Sequence, residues 1–82
     1  MGISVSLFSR AVKGLDDKNC LRVRKLAAHV AAGPRKGWWK TADQAVAGFT
    51  PRNLAALKAS TNWQTIMDLV AQIIAEIQAG KA

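Results

Sequence analysis

The chain has 82 residues, which allows one domain with a modest core and excludes a multidomain enzyme. Half of the residues are apolar, which excludes a disordered tract, and no uncharged stretch is long enough to cross a bilayer. Formal net charge is +7 with a pI near 10.4, so the expected partners are polyanions: nucleic acid, an acidic protein or an anionic membrane surface.

Ile3 to Lys13 read as a first helix. Ile3, Leu7, Phe8 and Ala11 fall on one side, Ser6, Arg10 and Lys13 on the other, and Gly14 is the stop. Two further readings of the start stay open. Met1-Gly2-Ile3-Ser4-Val5-Ser6 fits the loose pattern for myristoylation of Gly2, and the acid-free opening with its serines and arginine fits a targeting peptide. A secretory signal pattern is missing, so the expected location is the cytoplasm, membrane-associated if Gly2 is lipidated.

Asp16 or Asp17 caps a second helix that runs to about Ala32, since a carboxylate there completes free amides and offsets the helix dipole. Cys20, Val23, Ala27 and Val30 form its apolar line, widened by Leu26 and Ala31. Lys18, Arg22, Lys25 and His29 recur at spacings of four, three and four, which makes a basic ridge. That ridge reads equally as a solvated face or as a phosphate-binding one. Gly33-Pro34 ends the helix. The loop that follows, Pro34-Arg35-Lys36-Gly37-Trp38-Trp39-Lys40, sets three cations around two indoles. One indole is expected to plug the core beneath the loop; two adjacent indoles in a turn are hard to bury together, so the second either also serves the core or, exposed, could stack on a base or sit among lipid headgroups.

Thr41 to Gln44 fits a capping box and opens a short third helix to Ala47, closed by Gly48. Thr50-Pro51 starts a fourth at once, with proline in the first position, where its missing amide costs nothing. This helix runs from Arg52 to Ala59, with Leu54 and Leu57 inward and Arg52, Asn53, Ala56 and Lys58 as candidates for its outer side. Two short helices so tightly joined must cross, which is the layout of a helix-turn-helix.

Gly48-Phe49-Thr50-Pro51-Arg52-Asn53-Leu54 resembles the turn and recognition-helix start of MerR-type regulators and phage excisionase-like proteins, and Thr41-Ala42 matches the Thr-Ala that precedes their first helix. The resemblance implies that Thr50, Arg52 and Asn53 approach DNA, with Gly48 in the turn. It covers residues 41–57. The chain departs from the family where a small alanine is usual four residues before the turn glycine; Gln44 stands there, and Ala45 comes one step late. The family's wing strands are also missing from the sequence.

Thr61 to Gln64 is a second capping box, and the helix it opens, Asn62 to Ala79, is the longest. Trp63, Ile66, Val70, Ile73 and Ile77 make an apolar stripe, widened by Met67, Leu69 and Ile74, opposite a polar line of Gln64, Asp68, Gln72 and Glu76. The stripe reads as the central strut of a core; part of it could instead be the seam of a homodimer. Gly80 ends the helix and Lys81 complements its dipole.

Single Cys20 excludes an internal disulfide, and with single His29 it excludes a closed zinc site of soft ligands. Cys20 and His29 are nine residues apart on one helix, too far for nucleophile and base. Neither a phosphate loop nor a catalytic constellation is present. The expectation is therefore no enzyme and no cofactor, but an all-α single domain over residues 1–82, a compact bundle of about five helices with a long C-terminal helix. Nine of the 12 lysines and arginines lie in residues 1–40, against Asp16 and Asp17. Phosphate contacts are expected from Lys18, Arg22, Lys25, Arg35, Lys36 and Lys40, and base-edge or register contacts from Thr50, Arg52, Asn53 and Lys58. A small nucleic-acid-binding regulator of phage or plasmid type is the leading reading. The alternatives are a matrix-like membrane-surface module of viral type, built on Gly2 and the basic face, and an interaction module or inhibitor for an acidic protein.

Overall fold

The computed structural model describes residues 3–33, 39–60 and 62–80, with only the backbone described for residues 3–5. Five helices follow one another: α1 (Ile3–Val12), α2 (Asp17–Ala32), α3 (Ala42–Ala47), α4 (Pro51–Lys58) and α5 (Trp63–Gln78). No strand occurs among the described residues.

Local chemistry sets most of the boundaries. Gly14 adopts a positive φ of 81°, which an L side chain resists, and the chain leaves α1 there. Asp16 is the N-cap of α2, and its carboxylate accepts the Asn19 amide at 2.8 Å. Gly33, with φ 58°, closes α2 and donates its amide to the His29 carbonyl. Thr41 caps α3 by accepting the Gln44 amide at 3.1 Å. The Gln44 side chain returns to the Lys40 amide at 2.7 Å, one residue earlier than a full capping box requires. Thr50 makes no side-chain cap bond, so Pro51 alone marks the start of α4. Thr61, half of the second capping box, lies outside the described residues, as does Lys81. Asn62 is the residue before α5, and it does not cap the helix; its side chain donates to the carbonyls of Ala11 and Lys13 at 2.8 and 2.9 Å. That contact ties the end of α1 to the start of α5.

Helix α5 is the strut. It packs on α1, α2 and α3, while α4 packs on α2. Ile66, Leu69, Val70, Ile73 and Ile74 are buried, and Trp63, Met67 and Ile77 pack against the same core. Of the stripe considered for a dimer seam, Trp63, Met67 and Ile77 keep part of their surface exposed. Leu7 and Ala11 from α1, Val23, Leu26 and Val30 from α2, Ala45 and Val46 from α3, Phe49, and Leu57 from α4 complete the cluster. No buried polar or charged residue interrupts it among the described residues. Two faces differ from the sequence expectation. Ala31 is exposed while Leu26 is fully buried, and Ala56 is half-buried while Ala55 faces out.

Leu57 is completely buried, so Leu57→Ala should cost about 2–5 kcal/mol. That is a large part of the roughly 4–12 kcal/mol expected for a domain of this size. Ala55→Ser, on the outer side of the same helix, should stay within about 0.5 kcal/mol. Urea denaturation of both variants measures the difference.

Candidate functional site

Two helix ends meet beside His29, and they fix how α2 is presented. Pro34 follows α2 by sequence and has no N–H, so it can never satisfy the Val30 carbonyl. The Trp39 indole does so instead, donating its Nε1–H at 3.1 Å. One turn of α2 carries the His29 ring, which lies 5.2 Å from the Trp39 ring and 5.5 Å from the Phe49 ring, centroid to centroid. Its Nε2 is 3.0 Å from the Ala45 carbonyl at the end of α3. A carbonyl can only accept, so Nε2 carries the proton. His29 therefore leaves the basic ridge on which spacing alone places it; it bolts α2 to the α3–α4 joint. Trp39 is half-buried and packs against the core, whereas Trp38, Arg35 and Lys36 lie outside the described residues.

The turn at Gly48 joins α3 to α4. Its φ is −88°, an ordinary right-handed value. A methyl added there would meet His29 Nε2 and Trp39 Cη2 at 3.5 Å, which is normal contact. Glycine is not demanded by backbone conformation at this position. Ala45 is the fully buried small residue of α3, and Gln44 is exposed.

The remaining three members of the ridge come together. Lys18, Arg22 and Lys25 line a partly open groove of about 170 Å³ with Leu21 and, from α4, Asn53. This is smaller than the roughly 300–1,000 Å³ of small-molecule pockets. Arg22 spans it. Its Nη1 donates to the Asn19 side-chain oxygen at 2.6 Å, and its Nε donates to that of Asn53 at 3.3 Å. Asn19 is one turn earlier on α2, and Asn53 is 31 residues away on α4. Among the described residues, none of these three cations is paired with a carboxylate. Two neutral amides orient the guanidinium without cancelling its charge.

The other candidate residues are placed as follows. Thr50, Arg52 and Lys58 on or beside α4 are exposed, as is Lys40 before α3, but none of them lines the groove. Arg52 adjoins Asn53 in the chain. Gly2 lies outside the described residues. Cys20 is half-buried, and its thiol points to the Val12 and Leu15 carbonyls at 3.7 and 3.6 Å. Among the described residues no cluster of three metal-ligating side chains occurs, and no helix is long and apolar enough to cross a membrane. Asn19 and Leu21 escaped the sequence reading. Asn19 is visible in hindsight, since it sits three residues before Arg22 on the same helix face.

Comparison with protein-family models, curated proteins and solved structures gave no match to the chain.

Replacing Trp39 with phenylalanine should keep the packing and strand the Val30 carbonyl. Loss of that bond should lower unfolding free energy by about 1–3 kcal/mol, read by thermal or urea denaturation. A variant as stable as the parent would show that water replaces the indole there.

Proposed function

We propose that this is a small nucleic-acid-binding protein that grips the sugar–phosphate backbone in the α2–α4 groove. One observation carries the reading: a half-buried arginine, oriented by two neutral amides from different helices, stands between two lysines that have no carboxylate partner among the described residues. A purely structural arginine gains most from a carboxylate partner. Holding Arg22 with amides instead keeps its charge available to an incoming anion, and Nη2 makes no hydrogen bond among those described. Phosphate contacts of this kind set affinity and register, not sequence preference.

In its finer form the proposal is a helix-turn-helix regulator of phage or plasmid type, with α3 and α4 as the pair. Exposed Thr50 and Arg52 at the start of α4, and the tight joint between the two helices, favour it. Asn53 would then serve both parts of the interface. Its oxygen is engaged by Arg22, and its amide N–H groups remain to donate.

The test is binding of labelled oligonucleotides across a salt series. Log affinity should fall linearly with log salt, with a slope near −0.7 per phosphate contacted on a single strand and −0.9 on duplex DNA. Arg22→Gln and Lys25→Gln should each weaken binding to all sequences and reduce the slope by about one. Absence of binding, or binding that ignores salt, would overturn the proposal.

A further inference from the structure

Leu21 is the single large hydrophobic side chain that stands exposed among the described residues, at 50% of its full surface. An isolated exposed leucine needs no explanation by itself. Its surroundings here are different: it lines the groove together with Lys18, Arg22, Lys25 and Asn53. Along α2 the order Lys18, Leu21, Lys25 follows spacings of three and four, so the three lie on one stripe with the leucine in the middle. The two lysine positions are about 10 Å apart along the helix axis.

This alternation has a chemical counterpart. A nucleic-acid strand presents anionic phosphates separated by the largely apolar face of a sugar. We infer that the groove takes one backbone step of a single strand, with successive phosphates on Lys18 and Lys25 and the intervening sugar against Leu21. The inference rests on the nucleic-acid reading and deepens it by assigning a contact that is not electrostatic. Arg22, fixed by Asn19 and Asn53, borders the same groove and adds positive charge beside the stripe. Any polyanion can satisfy the lysines, but only one with an apolar face between its charges also covers Leu21.

Two probes separate these contributions: oligothymidylate, which has sugars, and inorganic polyphosphate, which has none. Leu21→Ser should lower affinity for oligothymidylate about fivefold, from the lost apolar burial. The slope of log affinity against log salt should stay unchanged, because no phosphate contact is removed. Affinity for polyphosphate should not move, and Leu21→Met should restore oligothymidylate binding. The position is half-exposed, so the variants are expected to fold, which circular dichroism checks. Unchanged oligothymidylate binding by Leu21→Ser would overturn this inference and leave the proposed function standing. An equal loss for polyphosphate would also overturn it, by showing that the leucine acts only through placement of the cations. If the parent protein binds neither probe, or binds an acidic leucine-containing peptide in their place, both this inference and the reading beneath it fall.

Discussion

Short helices spend much of their backbone at their ends, and in this protein the unpaired carbonyls at those ends dictate how the pieces join. The last four carbonyls of any helix have no partner within it. Here side chains from elsewhere in the sequence complete several of them. Trp39 serves Val30 at the end of α2, Asn62 serves Ala11 and Lys13 at the end of α1, and His29 adds a second bond to the Ala45 carbonyl, which also accepts the Gly48 amide, at the end of α3. Each bond spans a joint between elements. In a chain of 82 residues the apolar core is modest. The polar bolts supply direction, and α5 contributes more buried residues to the core than any other helix.

Helix α2 stands at the centre of this scheme. Its inner face, through Val23, Leu26 and Val30, is committed to the core. Its C-terminal turn is clamped by two aromatic rings and two hydrogen bonds around His29 and Trp39. Its N-terminus is capped by Asp16. With both ends held, the outer face is a preformed surface, and the Arg22–Asn53 bond registers α4 against it. On the proposed reading, an anion bound there would need little reorganisation of the protein.

The sequence made the helices legible because their signals are local. The carboxylate cap at Asp16, the hydroxyl cap at Thr41, the stop at Gly14 and the heptad-like stripe of α5 all act within a few residues. The candidate site was legible in part. Lys18, Arg22 and Lys25 share a helix face, and the structure keeps them together in one groove. His29 follows the same spacing yet turns inward, because the α3–α4 joint covers that end of α2. Periodicity names a face; it does not say which neighbour arrives to cover part of it. Asn53 was singled out through the family resemblance as a base contact, but its bond to Arg22 joins positions 31 residues apart, which no local pattern encodes. Ala56, read as outward, is half-buried in the structure, where α4 packs on α2.

The central claim is that the α2–α4 groove is where a phosphate backbone rests. Nuclear magnetic resonance titration of the isotope-labelled protein with a short oligonucleotide tests it most directly. The account predicts that the Arg22 guanidinium N–H signals and the Asn19 and Asn53 side-chain amide signals shift together and saturate together. The His29 and Trp39 ring signals should stay in place. Shifts confined to other surfaces, with these three side chains unmoved at saturation, would contradict it.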